Sequence, residues 1–155
     1  MLDGPGWEDQ NFMAKLTVKD LNVRGKRVFV RVDYNVPLDH ASGQVVITDA
    51  TRIEATLPTL RLLRQQGGKL ILAAHLGRPK GQREPSMSLR PVADELARRL
   101  GSPVGFVEDC IGPQVEQKVS AMQPGEVLLL ENVRYYREEE ANDPAFAEKL
   151  AKVAD

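Results

Sequence analysis

The stretch that decides the fold is KLILAA at residues 69–74, which is apolar on both faces after its first residue. A strand that is apolar on both faces is typical of a parallel sheet covered by helices on both sides. The stretch follows a helical pattern over residues 51–66 that ends at Gly67-Gly68, where glycine can adopt the left-handed conformation that ends helices. An amphipathic helix followed at once by a buried strand predicts an α/β fold.

The same alternation continues on either side of this stretch. We predict strands over residues 28–32, 69–74, 103–107 and 126–130, and helices over residues 51–66, 89–100, 113–121 and 143–154. The first helix is expected to begin with a capping box between Thr51 and Glu54 and to kink at Pro58. The pattern predicts a three-layer α/β/α fold with a parallel sheet, a Rossmann-like arrangement. Because the alternation stops in a helix, we interpret the sheet as incomplete.

Composition narrows the class of protein. The 155 residues include 21 Lys and Arg against 22 Asp and Glu, a formal net charge of −1. We expect no nucleic acid partner, because such domains usually have a clear basic excess. We expect no membrane partner either, because no run of about 20 apolar residues occurs. The single cysteine, Cys110, indicates a reducing compartment, and the cytoplasm is the predicted location.

The first residues differ from the rest of the chain. Residues 1–12 combine glycine, proline and acidic residues and lack the apolar run of a signal peptide. We interpret them as an extra N-terminal segment, and we predict a domain over residues 13–155.

Polar side chains collect directly after three of the predicted strands and at the start of the first helix. In open parallel sheets, ligands bind outside the carboxyl ends of the strands, and helix N-termini attract anions there. The pattern predicts a site for a small polyanion, most simply a phosphate ester. The side chains concerned are Asp33, Asn35, Arg52, His75, Arg78 and Arg134.

Each of these residues also has a purely structural interpretation. Asp33 and Asn35 could be turn residues at the end of a strand. His75 could be a packed histidine at a strand end. Arg78 could be a solvated loop charge, and Arg134 could pair with a neighbouring glutamate. The site is favoured because independent signals share one predicted edge of the sheet.

Other site chemistries lack their sequence signatures. The chain has no Gly-x-Gly-x-x-Gly dinucleotide motif and no Gly-x-x-x-x-Gly-Lys-Ser/Thr phosphate loop. Its two histidines, His40 and His75, have no cysteine or carboxylate at metal-ligand spacing. A Gly-x-Ser-x-Gly hydrolase motif is also missing. We therefore expect no cofactor-binding residues and no metal site in this chain.

Four stretches together resemble the phosphoglycerate kinase family. They are RVDYNVP at 31–37, ITDATRI at 47–53, HLGRPKG at 75–81 and LLENVRY at 129–135. The resemblance runs from about Lys15 to the end of the chain, with the motifs in the expected order and spacing. The one departure is Tyr34, where the family is expected to have Phe.

The resemblance implies the N-terminal domain, here incomplete, of a two-domain glycolytic kinase. That family transfers a phosphoryl group reversibly between 1,3-bisphosphoglycerate with ADP and 3-phosphoglycerate with ATP. Mg-ATP or Mg-ADP would bind a C-terminal domain that is absent here, so this chain would be inactive alone. The resemblance also implies that the full-length enzyme is monomeric. The alternative from the residues is a stand-alone module that binds a phosphorylated acid without catalysis.

The resemblance also implies residue roles. Asp33 and Asn35 would hold the hydroxyl and carboxylate end of 3-phosphoglycerate, and Arg52 would be the catalytic residue against the transferred phosphoryl group. The phosphate that does not react would bind His75, Arg78 and Arg134. The remaining implied substrate contacts are Tyr34, Leu76 and Gly77.

Overall fold

The computed structural model describes residues 15–155, so the predicted extra segment at residues 1–12 lies outside the described residues. The strands are β1 (Arg27–Arg31), β2 (Leu38–Asp39), β3 (Val46–Ile47), β4 (Lys69–Ala73), β5 (Gly105–Val107) and β6 (Val127–Leu130). The α-helices are α1 (Thr51–Gln65), α2 (Arg90–Leu100), α3 (Pro113–Ser120), α4 (Arg137–Glu140) and α5 (Pro144–Ala151). Single 3₁₀ turns occupy Val18–Asp20, Pro85–Met87 and Val133–Tyr135.

The main sheet is parallel, in the order β1–β4–β6–β5. Strand β4 is central, with Leu72 paired to Val30 on one side and to Leu129 on the other. This arrangement confirms the predicted α/β fold with a parallel sheet. The four predicted strands all form, each within a few residues of its expected bounds.

Helices cover both faces of the sheet because β4 and β6 are apolar on both faces. Leu70 and Leu72 pack in one core with Ile53 of α1 and Leu96 of α2. Ile71 and Ala73, on the opposite face, pack in a second core with residues of α3 and α5 such as Val115 and Phe146. Alternate residues of one strand therefore belong to different cores, as the period of a β-strand requires.

The start of α1 differs from the prediction. The predicted capping box is wrong, because the N-cap residue is Ala50 and no side chain caps the helix. Instead, Asp49 Oδ1 accepts a hydrogen bond from the Thr51 N–H at 2.9 Å. The helix continues through Pro58, and it ends as predicted at Gly67, which has φ +82°.

A short antiparallel hairpin of β2 and β3 lies between the first motif and α1. The sequence interpretation missed it, because two strands of two residues each are too short to show a period. The hairpin brings residues 31–37 back towards the start of α1, where the Thr48 N–H bonds to the Pro37 carbonyl at 3.1 Å.

The chain continues to opposite faces of the sheet after the neighbouring strands β4 and β6. After β4 the chain passes to α2 on the first face, whereas after β6 it passes to Val133 and Phe146 on the second face. A crevice opens outside the carboxyl ends of two such neighbouring strands, and it is the usual ligand position in open α/β sheets. We call it the switch-point crevice. Just beyond the two strands, the Val133 N–H donates a hydrogen bond to the Ala74 carbonyl at 3.1 Å.

Within residues 15–155, β1 is an edge strand with half-buried residues. On its far side the Asp155 N–H bonds to the Arg27 carbonyl at 3.0 Å, and the Arg27 N–H bonds to Asp155 Oδ2 at 2.8 Å. None of the described helices has both the length and the apolar character needed to cross a membrane.

A smaller side chain at Leu72 tests whether β4 is the buried central strand. We expect Leu72→Ala to lower the free energy of unfolding by about 2–5 kcal/mol, because Leu72 is fully buried between two strands. The matched control is Leu16→Ala, at a leucine that is 78% exposed, which should change it by less than about 0.5 kcal/mol. Urea denaturation monitored by circular dichroism measures both. Equal losses in the two variants would contradict the central position of β4.

Candidate functional site

The sequence-predicted polar residues lie in three segments that meet at the carboxyl edge of the sheet. Asp33 and Asn35 follow β1, His75 to Arg78 follow β4, and Arg134 follows β6. Residues 32–37 alternate, with Val32, Tyr34 and Val36 buried and the residues between them exposed. This alternation turns Asp33 and Asn35 towards solvent at the edge. We call the exposed polar surface formed by these three segments and Arg52 the basic rim.

Arg52 is held at one end of the basic rim by two acceptors from the first segment. Its Nη1 donates to Asp33 Oδ1 at 3.0 Å and to the Asn35 carbonyl at 2.9 Å. The Arg52 side chain is still 50% exposed and that of Asp33 62%. The guanidinium is therefore oriented and retains further donors for a ligand, since arginine has five N–H groups.

Asn35 joins the first segment to the loop after β4. Its Oδ1 accepts a hydrogen bond from the Gly77 N–H at 2.9 Å. Gly77 has φ +61°, and a Cβ there would lie 2.9 Å from the Met87 Sδ. Another residue here would adopt an unfavourable φ and displace the Met87 side chain, so glycine lets the loop that carries His75 and Arg78 pass close to Met87.

A four-residue cluster forms the other end of the basic rim. Arg31 Nη2 lies 3.2 Å from His75 Nδ1 and 3.2 Å from Glu139 Oε1. The other oxygen of Glu139 accepts from Arg134 Nε at 3.0 Å. One carboxylate thus bridges two arginines beside a histidine.

Two members of this cluster, Arg31 and Glu139, were missed by sequence reasoning. Arg31 is the first residue of the motif at 31–37, and its position at the end of β1 was the available signal. Glu139 lies in a run of three glutamates, and its contact with Arg31, which is distant in the sequence, distinguishes it from its two neighbours.

The protonation of His75 follows from these neighbours. Burial lowers the pKa of His75 below its usual 6.5, the charges of Arg134 and Arg31 lower it further, and Glu139 and Asp33 oppose the shift. Arg31 has no acceptor atoms, so His75 Nδ1 must be the acceptor in their contact. The neutral ring then carries its proton on Nε2, where it can donate a hydrogen bond to an anion.

The other predicted residues divide into exposed and buried ones. Arg78 is exposed and makes no hydrogen bond or ion pair to any residue in the 15–155 range. Tyr34 is fully buried, its hydroxyl lies 2.8 Å from Thr56 Oγ1, and burial raises its pKa to about 12. Leu76 is buried too. The side chains of Tyr34 and Leu76 therefore belong to the core, and only their backbone groups can reach a ligand at the basic rim.

The basic rim is an open surface. A groove of about 680 Å³ lies elsewhere, between β3 and α2, and no rim residue lines it. Near the rim, Arg31 and Glu139 border a smaller cavity of about 180 Å³. Four arginines and a histidine lie here with three carboxylates, of Asp33, Glu139 and Glu140. The arrangement suits a multiply charged anion, which can take a place beside the guanidinium groups. Among the described residues, no group of three or more His, Cys, Asp and Glu side chains is arranged to hold a metal ion.

Comparison with known proteins gives one consistent family. The family model described as phosphoglycerate kinase matches residues 18–155. The phosphoglycerate kinase of Moorella thermoacetica is 56% identical over 143 residues, which cover 92% of this chain and 35% of that protein. The chloroplastic phosphoglycerate kinase of Chlamydomonas reinhardtii is 56% identical over 145 residues and is covered to 31%.

Solved structures agree with these sequence relatives. Phosphoglycerate kinase from Pyrococcus horikoshii superposes with a TM-score of 0.77 at 33% identity, over 88% of this chain and 34% of that one. The enzyme from Coxiella burnetii gives a TM-score of 0.76 at 34% identity, over 90% and 33% respectively. The chain thus spans about a third of the length of the proteins it matches.

The His75 cluster can be tested by NMR titration of the ring. We expect a His75 pKa below 6.5, and a further decrease in Glu139→Gln, because that change removes the carboxylate that raises the pKa. The pKa of His75 is lower in the folded chain than in the unfolded chain, so the unfolded chain binds a proton more readily. The free energy of unfolding should therefore decrease as the pH falls below about 6.5.

Glu138→Gln is the matched control, because Glu138 has the same charge but makes no side-chain ion pair in the described part of the chain. It should lower the His75 pKa less than Glu139→Gln does. A His75 pKa that rises in Glu139→Gln would contradict the bridging geometry.

Proposed function

The chain belongs to the phosphoglycerate kinase family, and on this basis we propose that its basic rim is the 3-phosphoglycerate-binding half of a phosphoglycerate kinase. The whole enzyme would transfer a phosphoryl group reversibly between 1,3-bisphosphoglycerate with ADP and 3-phosphoglycerate with ATP. Glycolysis is the proposed setting of this reaction.

One observation supports the substrate most strongly: the positively charged groups of the basic rim are arginines at the carboxyl edge of the parallel sheet. A guanidinium group donates two parallel hydrogen bonds to a phosphate or carboxylate, a geometry that lysine cannot copy. At one end of the rim, Arg78 has no partner among residues 15–155. Arg134 shares Glu139 with Arg31, and Glu140 lies 3.8 Å from its Nε. This end is the proposed site of the phosphate that does not react, with His75 Nε2–H as a further donor.

The other end of the basic rim is the proposed reacting end. Asp33 and Asn35 would receive the hydroxyl and carboxylate of the substrate, and Arg52 would contact the carboxylate and the transferred phosphoryl group. Phosphoryl transfer depends mainly on positioning and on neutralising charge in the transition state. Arg52 is suited to this role because Asp33 and the Asn35 carbonyl already orient its guanidinium.

The nucleotide is assigned to sequence outside this chain. The magnesium complex of ATP or ADP would need phosphate-binding glycines and magnesium ligands, and residues 15–155 offer no such motif or carboxylate cluster. About two thirds of the length of the relatives is available for that role. The open basic rim fits a site that a second domain closes. The 155-residue chain alone would then bind substrate without catalysis, and we propose a monomeric full-length enzyme in the cytoplasm.

Substrate binding is the direct test. We expect 3-phosphoglycerate to bind the 155-residue chain in calorimetry at low salt, more weakly as salt is added. Arg78→Ala should weaken binding by roughly ten- to a hundredfold, because it removes charge-assisted hydrogen bonds to the phosphate.

Arg98→Ala is the control for net charge, because Arg98 is an exposed arginine paired with Glu95 on α2 and is not part of the basic rim. It should leave the affinity nearly unchanged. Glycerate, which lacks the phosphate, should bind much more weakly than 3-phosphoglycerate. Equal binding of the two ligands, or equal effects of the two variants, would refute the phosphate assignment.

The catalytic assignment is tested in the full-length protein that contains this chain. We expect Arg52→Lys to lower kcat by roughly a hundredfold, because the planar guanidinium group of arginine mainly stabilises the negative charge of the transition state. Arg78→Ala should instead mainly raise KM, because its phosphate does not react. A coupled assay with ATP and 3-phosphoglycerate measures both.

The same assay applied to the 155-residue chain should give no turnover. Turnover by that chain alone would contradict the assignment of the nucleotide to other sequence. Full-length protein that binds 3-phosphoglycerate tightly but shows no turnover would favour the alternative, a binding module without catalysis.

A further inference from the structure

A buried polar side chain, Asn132, lies at the switch-point crevice. It is the second residue after β6, and it is only 1% exposed. The only other buried polar or charged residue in the described part of the chain is its neighbour Glu131. Burial of an amide is unfavourable unless its hydrogen bonds are satisfied, so the partners of this side chain show what it contributes.

The Asn132 side-chain amide makes three hydrogen bonds, two to other segments of the chain and one within its own turn. Its Nδ2 donates to the Leu76 carbonyl at 2.7 Å and to the Met87 carbonyl at 3.0 Å. Its Oδ1 accepts from the Arg134 N–H at 3.1 Å. These partners fix the orientation of the amide, because the two carbonyls require the NH₂ group and the N–H requires the oxygen.

The three partners are the supports of the proposed phosphate-binding residues. Leu76 lies between His75 and Gly77 in the loop after β4. Met87 packs against Gly77, whose N–H in turn bonds to Asn35 Oδ1. The Arg134 backbone supports the Arg134 guanidinium, which is one of the proposed phosphate donors. Among the described side chains, Asn132 alone hydrogen-bonds both the loop after β4 and the backbone of Arg134. Farther along that loop, the Gly81 N–H donates to the Arg134 carbonyl at 3.3 Å.

We propose that Asn132 is a positioning residue that sets the spacing between the His75–Arg78 loop and Arg134 and so shapes the phosphate subsite. This inference rests on the proposed function for its ligand, but its structural part stands without ligand. Asn132 does not contact the substrate in this proposal. A displaced donor set binds and orients its ligand less well, even when each donor is still present.

Glu131 provides the contrast that separates positioning from ordinary core structure. It is 4% exposed. One oxygen of its carboxylate accepts from the Ser88 hydroxyl at 2.7 Å, and the other accepts from the Leu89 N–H at 2.9 Å and from the Asn132 N–H at 2.8 Å. Glutamine at this position keeps one oxygen for the two N–H groups and changes only the contact to Ser88 at the start of α2. Glu131→Gln should therefore affect stability without altering the spacing of the phosphate subsite.

The first measurement uses the unmodified chain without ligand. We expect slow exchange of the Asn132 side-chain NH₂ protons and detectable through-hydrogen-bond couplings from Nδ2 to the Leu76 and Met87 carbonyl carbons. Rapid exchange with no coupling would overturn the proposal, whatever the variants do.

The second measurement compares variants. Asn132→Leu removes all three hydrogen bonds at similar size, so amide exchange at Gly77 and Arg134 should become about tenfold faster or more, and affinity for 3-phosphoglycerate should fall about tenfold. Asn132→Asp keeps the acceptor for the Arg134 N–H but leaves at least one of the two carbonyls unpaired. It should speed exchange at Gly77 and leave it unchanged at Arg134.

Glu131→Gln is the matched control. It should lower the unfolding temperature without faster amide exchange at Gly77 or Arg134 and without weaker binding of 3-phosphoglycerate. If the wild-type chain does not bind 3-phosphoglycerate, the proposed function fails, and the exchange data alone decide the role of Asn132. A folded Asn132→Leu variant with wild-type exchange at Gly77 and Arg134 would overturn that role. If no Asn132 variant folds, the couplings in the unmodified chain decide.

Discussion

The parallel pairing of β4 with β1 on one side and β6 on the other is the constraint on which the site depends. Parallel strands end at the same edge, so the segments after all three strands start side by side. The reversal of chain direction between β4 and β6 then opens the crevice that these segments line. Residues separated by about a hundred positions in the sequence, such as Asp33 and Arg134, become neighbours on one surface without any long loop.

Parallel strands alone do not order the segments that follow them, because the backbone groups there no longer have partners in the sheet. Side-chain amides supply these partners: Asn35 accepts the Gly77 N–H, and Asn132 joins Leu76, Met87 and Arg134. The part of this network around Asn132 is buried, and it favours one arrangement over others, since any alternative leaves a buried group unpaired. These bonds hold the backbone of the segments that carry Arg78 and Arg134.

Carboxylates hold most of the cationic groups at the basic rim when no ligand is bound. The Arg52–Asp33 pair is largely exposed, and such pairs contribute only about 0–1 kcal/mol to stability. An anionic ligand can therefore replace Asp33 as a partner of Arg52 at little loss. Glu139 is only 19% exposed and contacts two arginines, so it is harder to displace, and it keeps both guanidinium groups beside His75.

The sequence by itself determined the four strands, the helices between them, the layered arrangement and the set of polar residues at one edge. It could do so because apolar runs, helical periods and the rule for strand ends are local signals. Only the tertiary structure decided that β6 inserts between β4 and β5, that α1 begins without the predicted capping box, and that Tyr34 faces the core. It also brought Arg31, Glu139 and Asn132 into the site. The physical reason is that the direction and partners of a side chain depend on segments distant in the chain, which no local pattern records.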